Sequence, residues 1–326
     1  MKRSPWGFVT YFIPFLLYRG MQAELSFEDF EGDPRDRQKA VLRKFLELIH
    51  HERTPSGQLD FELVESDEES GLVRRKYEAS QEPWAPQPVY EFTNPELDNG
   101  ITLVALHGHG DDPFSGIYDY IPGLAGRGYR VVMPILFGTM ERETKGLRPD
   151  WRDMCREWSI EADALGVTLI AARLHDAHLA YLLAMELEGV DRERIATIGL
   201  SMGGELSLYL TAIEKGIRAC VSAGFMSSFG SLLLDKRNCQ CYSIRDWPRY
   251  FDMPDIAGCI APRPVLVLKG TDDPCLDPED AEQAFERLKD IYRRFDAADS
   301  CSYRTYPGTH CLNQDLADTW LREQFR

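Results

Sequence analysis

The sequence predicts an α/β protein with a mostly parallel sheet and helices on both faces. Three observations lead there. From residue 100 onward, short apolar runs alternate with helical segments, and strands separated by helices are joined by crossovers, which gives parallel pairing. Runs such as 101–106 are continuously apolar rather than alternating, which suits strands buried on both faces. The chain of 326 residues, 44% hydrophobic and 28% charged, is long enough to bury a large core.

The elements follow in chain order. Lys2 and Arg3 precede an apolar stretch at 5–18, the layout of a signal peptide. However, Met21-Gln22-Ala23 places a bulky Met where cleavage wants a small residue, and the stretch is rich in aromatic residues. It therefore reads as an apolar helix carrying Phe8, Phe12, Phe15 and Leu16 packed on the domain, in a cytoplasmic protein. A secreted protein is the alternative if residues 1–23 are a leader. With Pro14 inside it, the stretch is too short to span a bilayer. Residues 33–50 read as a helix, with Asp33 as cap, Pro34 in the first turn and Val41, Leu42, Phe45, Leu46 and Ile49 on one face. Residues 1–60 then form a helical lead-in, and 61–326 the main domain.

A hairpin is expected from 61–65 and 72–79, its acidic turn at 66–71 facing Arg74, Arg75 and Lys76. Further strands are expected at 101–106, 130–133, 194–199, 218–223, 264–268 and 301–306, giving an eight-stranded sheet. Helices fall at 168–186, 202–214 and 280–293. In such a sheet, ligand sites belong at the carboxyl ends of the strands.

Three strand ends carry chemistry. Gly199-Leu200-Ser201-Met202-Gly203 lies between a strand and a helix, where small flanking residues allow the strained turn that presents a nucleophilic Ser. A serine needs a base, and the base needs an orienting acid. His310 follows the last strand, and the carboxylates of Gly270-Thr271-Asp272-Asp273-Pro274 follow the one before. The order Ser, Asp, His matches an α/β-hydrolase. An oxyanion hole requires two backbone N–H groups. Met202 supplies one, and His109 of the loop His107-Gly108-His109-Gly110 is the candidate for the other. The imidazoles of His107 and His109 are expected to brace this loop without transferring protons.

The sequence resembles the α/β-hydrolase superfamily, and within it the bacterial serine hydrolases of dienelactone-hydrolase-like and acetyl-xylan-esterase-like type. The resemblance rests on the His-Gly-His-Gly loop, Arg127-Gly128-Tyr129, Gly199 to Glu205, Ala261-Pro262-Arg263-Pro264, Gly270 to Pro274 and Pro307-Gly308-Thr309-His310. It implies Asp273 as the acid, with Asp272 and Asp277 as alternatives. It also implies hydrolysis of carboxylic esters of small or medium acyl groups, acetyl-esterase or lactonase-like, with no cofactor. Dienelactone hydrolases proper carry Cys where Ser201 stands, and relatives often have Gly and Glu where Thr309 and Cys311 flank His310.

Lys plus Arg is 37 against 53 for Asp plus Glu, a formal charge of −16. Such a surface repels phosphate backbones and anionic membranes. The expected partner is a small-molecule ester, neutral or cationic, with no nucleic acid and no membrane. A homo-oligomer is compatible with the sequence. The eight cysteines need not form a disulfide framework in a chain this long.

Other features are read as structural. Arg173 and Asp176 are expected to form an intrahelical ion pair, with His175 and His178 on the helix surface. Cys239-Gln240-Cys241 is too closely spaced for a zinc knuckle, and no second Cys pair has ligand spacing, so no metal is expected. Residues 137–165 and 225–250 are candidate lids or pocket walls. Three other functions compete. His107, His109 and Asp111, with His175 or His178 and His310, have the residue types of a dinuclear metal hydrolase. A prolyl-oligopeptidase-type peptidase shares the triad order, and a non-catalytic binding protein could use the same scaffold.

Overall fold

The continuously apolar runs of the sequence become strands buried along their whole length. These are β4 (Thr102–Leu106), β6 (Ile195–Leu200), β7 (Ala219–Ala223) and β8 (Val265–Gly270). With β5 (Arg130–Pro134) and β9 (Cys301–Tyr306) they pair in parallel. The structure is a computed structural model describing residues 23–53, 56–81, 85–109, 114, 118–139, 151–236 and 238–326, without the side chains of 151–154. The leader-or-helix reading of the N-terminal stretch, Asp111, and 140–150 of one candidate lid fall outside the described residues.

One nine-stranded sheet runs in the order β1-β2-β3-β5-β4-β6-β7-β8-β9, one strand more than expected. The added strand is β3 (Gln87–Thr93), which joins the hairpin of β1 (Asp60–Glu69) and β2 (Leu72–Ser80) to β5 in antiparallel register. Pro83, Pro86 and Pro88 cue a loop there, but Pro88 sits at the strand's start, where a missing N–H is tolerated. The hairpin is also tighter than expected. Ser70 and Gly71 both adopt positive φ, 53° and 79°, as a two-residue turn requires. The acidic residues 66–69 are therefore strand, and Asp67 pairs with Arg74 at 2.8 Å.

Helices cover both faces, and the pleat sorts the core between them. Val104 and Leu106 join one cluster, while Leu103 and Ala105 join the other, because successive side chains alternate across a strand. The first cluster holds α1 (Pro34–Leu48), α4 (Leu169–Glu186), α5 (Met202–Ile213), α7 (Met253–Gly258) and α8 (Pro278–Arg293). The second holds α2 (Tyr120–Ala125) and α9 (Gln314–Gln324). Among the described residues, the remaining α-helices are α3 (Trp151–Leu165) and the short α6 (Trp247–Tyr250). Asp33 caps α1 as expected, accepting from Arg35 N; Thr168 accepts from Ala171 N at the start of α4, and Asp277 accepts from Glu279 N and Asp280 N, which starts α8 at Pro278 rather than at the expected 280. Among the described residues, no helix is long and apolar enough to cross a membrane.

α4 corrects one expectation. Arg173, His175 and Asp176 are 2%, 3% and 1% exposed, so they lie in the core rather than on a helix surface. Arg173 does not pair with Asp176. Its Nε donates to Phe137 O at 3.1 Å and its Nη2 lies 3.2 Å from Cys155 Sγ, while Asp176 Oδ2 accepts from Phe137 N at 2.6 Å. The helix is apolar at most other positions, so nearly every face of it is covered. His178 is half-buried and lies 3.2 Å from Glu214.

Phe45 on α1 is fully buried, with its ring 4.8 Å from that of Tyr209 and 6.3 Å from that of Phe251. Removing it leaves a cavity between α1 and the Tyr209 and Phe251 rings. Phe45→Ala is expected to cost about 3–5 kcal/mol, read as a lower urea midpoint with the cooperative slope retained.

Candidate active site

The turn after β6 is built from contacts that only glycine permits. A Cβ on Gly203 would lie 1.8 Å from Leu106 O, and one on Gly199 would lie 2.2 Å from Gly203 O. Between them Ser201 adopts φ 60° and ψ −124°, a conformation that costs a non-glycine residue about 1–3 kcal/mol. Backbone bonds hold it there: Ser201 N donates to Ala223 O at 2.8 Å, and Glu205 N to Ser201 O at 3.0 Å. Met202 opens α5, so its N–H has no acceptor within the helix.

The loop after β4 lies against this turn. A Cβ on Gly108 would lie 2.8 Å from Leu200 O and 3.1 Å from Ser201 Cβ. His107 is buried, and both of its ring nitrogens are used by backbone: Leu136 N donates to Nε2 at 3.2 Å, and Nδ1 lies 2.9 Å from Gly108 O. The proton therefore sits on Nδ1. Burial pushes this imidazole down to about 4, against the Gly108 bond, so it braces the loop as a neutral ring. Because the peptide is planar and trans, fixing the Gly108 carbonyl also fixes the direction of the His109 N–H. The Tyr118 hydroxyl donates to His109 O at 2.6 Å.

Parallel pairing of β8 and β9 brings two further loops together. Asp273 Oδ2 lies 2.8 Å from His310 Nδ1, and Asp273 Oδ1 accepts from Cys275 N at 2.8 Å. The other two carboxylates are used elsewhere. Asp272 is exposed beside Thr271, and Asp277 caps α8. Burial would raise the Asp273 pKa, but the bond to His310, that ring's charge, the Cys275 N–H and Lys269 hold it below its ordinary value. For His310 burial opposes the charge, yet Asp273 and Cys275 outweigh it and raise the imidazole to about 9.

Ser201 and His310 line one cavity of about 670 Å³ together with His109, Tyr118 and Tyr242. Phe225, Leu232 and Leu276 give it apolar wall, and Arg156, Lys236, Asn238 and Gln240 polar wall. Of the two candidate lids, 225–250 supplies most of one side, and α3 contributes Arg156. Sequence reasoning missed Tyr242, whose hydroxyl lies 3.3 Å from His109 Nδ1, and Cys275; nothing in their spacing marks either.

Of the alternative dinuclear metal grouping, His107 has both ring nitrogens engaged by Leu136 N and Gly108 O, and Asp111 lies outside the described residues. A different group is brought together: His109, Cys155, Cys239 and Cys241, with all ligand atoms within 4.8 Å of one another. Asp273, Cys275 and His310 form a second such group, which contains the acid–imidazole pair just described.

No protein-family model matches the chain. A crystal structure of a "putative acetyl xylan esterase" from Bacteroides fragilis NCTC 9343 superposes with a TM-score of 0.76, covering 96% of this chain and 94% of that one at 16% identity. The chain has the α/β-hydrolase fold. A glucuronoyl esterase from Solibacter usitatus shares this fold with a TM-score of 0.65, covering 94% of this chain and 97% of that one at 14% identity. In sequence, the Bacillus subtilis (strain 168) protein "Putative hydrolase YtaP" is 25% identical over 230 residues, 65% of this chain and 74% of its own. In α/β-hydrolase terms, Ser201 stands at the elbow after β6, Asp273 after β8 and His310 after β9.

Two outcomes are expected from this geometry. Gly203→Ala should destabilise the fold by about 3 kcal/mol, the upper end of overpacking costs, because its contact is rigid backbone; thermal unfolding measures this. An NMR titration should find the His310 ring well above 6.5, and Asp273→Asn should lower it. A pKa raised in the folded state stabilises the fold fully below pH 6.5, and that stabilisation is lost as pH rises through about 9.

Proposed function

We propose that the protein is a serine hydrolase that cleaves carboxylic esters through an acyl-enzyme on Ser201. The observation that carries this reading is the Asp273–His310 contact of 2.8 Å opening onto the cavity that holds the strained Ser201. Since Nδ1 of His310 faces Asp273, Nε2 is left to take the Ser201 proton. The Ser201 oxygen attacks the ester carbonyl, and the N–H groups of His109 and Met202 receive the developing oxyanion. His310 returns its proton to the departing alcohol. It then activates a water that releases the acid and frees Ser201, while the Asp273 carboxylate steadies the imidazolium. No step of this sequence calls on a cofactor.

The cavity volume lies within the range of small-molecule sites, roughly 300–1,000 Å³. Its mix of Asn238, Gln240 and Tyr242 with Phe225, Leu232 and Leu276 suits a small or medium acyl group on a polar alcohol. The structural relatives named as acetyl xylan and glucuronoyl esterases support carbohydrate esters as the first class to try. Five of the eight cysteines are buried and pack as small hydrophobic residues rather than as a disulfide framework, which supports a cytoplasmic placement.

p-Nitrophenyl esters of increasing acyl length, run on wild type and Ser201→Ala, test the proposal. The short esters should turn over fastest, and the variant should lose on the order of 10⁴-fold or more in kcat. Turnover that survives in Ser201→Ala would sink the mechanism. Only neutral His310 can accept the proton, so kcat/KM should fall as pH drops through a midpoint above 6.5, and Asp273→Asn should move that midpoint down.

A further inference from the structure

One wall of the cavity gathers side chains that the proposed hydrolysis does not use. Cys155 comes from α3, Cys239 and Cys241 from the segment that follows β7, and His109 from the loop after β4. Their three Sγ atoms and one ring nitrogen all lie within 4.8 Å of one another. His109 Nε2 faces the thiols, 3.1 Å from Cys241 Sγ, while its Nδ1 lies 3.3 Å from the Tyr242 hydroxyl. The buried guanidinium of Arg173 stands 3.2 Å from Cys155 Sγ.

We propose that His109, Cys155, Cys239 and Cys241 bind one zinc ion as a tetrahedral structural site. Three thiols and an imidazole are a donor set that selects a soft, tetrahedral metal. Around tetrahedral zinc, neighbouring sulfurs sit about 3.8 Å apart and sulfur and nitrogen about 3.6 Å apart. The four donors thus reach that geometry by shifts of about an ångström or less.

The surroundings fit the same ligand. The Tyr242 oxygen can accept a hydrogen bond from Nδ1–H, which leaves the Nε2 lone pair aimed at the metal, as outer partners of metal-bound histidines do. Zinc with three thiolates and a neutral imidazole carries one negative charge, and the Arg173 guanidinium beside it offsets that charge inside the core. Binding releases the three thiol protons to solvent and changes no oxidation state. His109 and Cys239 line the cavity, which provides the entry path. Four protein ligands leave no open position, so the ion does not activate water. Its work is mechanical: it ties the loop bearing the His109 N–H to α3 and to the 239–242 wall. A disulfide would use two of the thiols and leave the third, with the imidazole, unexplained. The site goes beyond the ester-hydrolase reading and does not rest on it.

Metal analysis of the full chain, purified reduced and without a chelating tag, tests the site. One zinc per chain is expected by mass spectrometry after dialysis. Protein stripped of zinc should bind cobalt with a thiolate-to-metal charge-transfer band in the near ultraviolet and tetrahedral bands in the visible. Zinc should abolish both. The Cys239→Ser/Cys241→Ser double variant and Cys155→Ser should lose zinc to background and unfold at lower temperature, whereas Cys301→Ser in the core should keep the metal. The proposal is overturned if reduced wild type holds no zinc and gives no charge-transfer band, or if zinc persists in the double variant. A disulfide among the three cysteines, seen as two missing titratable thiols, would overturn it too. The wild-type measurements stand even where a variant fails to fold.

Discussion

The backbone of the turn after β6 is pressed against the backbone at the end of β4, and the rest of the site depends on that contact. Gly203 approaches Leu106 so closely that a methyl group would sit 1.8 Å from the carbonyl oxygen. With α5 starting there, the chain has no room to leave β6 by an ordinary turn. Ser201 takes up the difference in a left-handed conformation, which lifts its side chain towards the cavity and leaves the Met202 N–H at the bare start of a helix. The strain is local and modest beside the packing of β4, β6 and α5, which are buried from Thr102 to Leu106, Ile195 to Leu200 and Met202 to Ala212.

The same device recurs at the neighbouring strand ends. A Cβ on Gly270 would lie 2.2 Å from Thr309 O, so the loops after β8 and β9 also meet backbone to backbone. Thr271 N bonds to Tyr306 O at 2.9 Å and Asp272 N to Gly308 O at 2.9 Å, continuing the strand register beyond the sheet. Asp273 and His310 face each other because of that register. The imidazole in turn lies over Gly224, where a Cβ would be 3.0 Å from its Cε1. Glycines thus let five strand ends, those of β4, β6, β7, β8 and β9, crowd together.

Those strand ends were legible in the sequence because their chemistry is local. An apolar run, a small residue and a reactive side chain occupy adjacent positions, and chain order supplies the remaining relation between Ser201, Asp273 and His310. β3 was not legible, since three prolines around it signal a loop and only pairing with β5 makes residues 87–93 a strand. Nor was the burial of Arg173 and Asp176, because charge on a helix reads as solvated unless the partners are visible. Those partners are the backbone of Phe137 and a cysteine, which no helical spacing can indicate. The cluster of His109, Cys155, Cys239 and Cys241 joins three separate connections, and spacing along the chain carries no information about such a meeting. Along the chain Cys239 and Cys241 form a pair, whereas their neighbours come from the loop after β4 and from α3.

The formal charge of −16 acquires a narrower meaning once the charges have positions. Many of the carboxylates lie far from the cavity on exposed surface, as along the β1 edge strand with Glu62, Glu65, Glu68 and Glu69. At physiological ionic strength, exposed charges are screened beyond about 8 Å, so this distant field acts on approach at low salt and fades inside the site. Arg156 and Lys236 line the cavity itself. Lys236 lies 3.9 Å from Asp277, which offsets part of its charge. Proximity then outweighs total charge. The expectation of neutral or cationic esters describes the encounter with the surface, while the walls around Ser201 set no comparable barrier to an anionic group once it has entered.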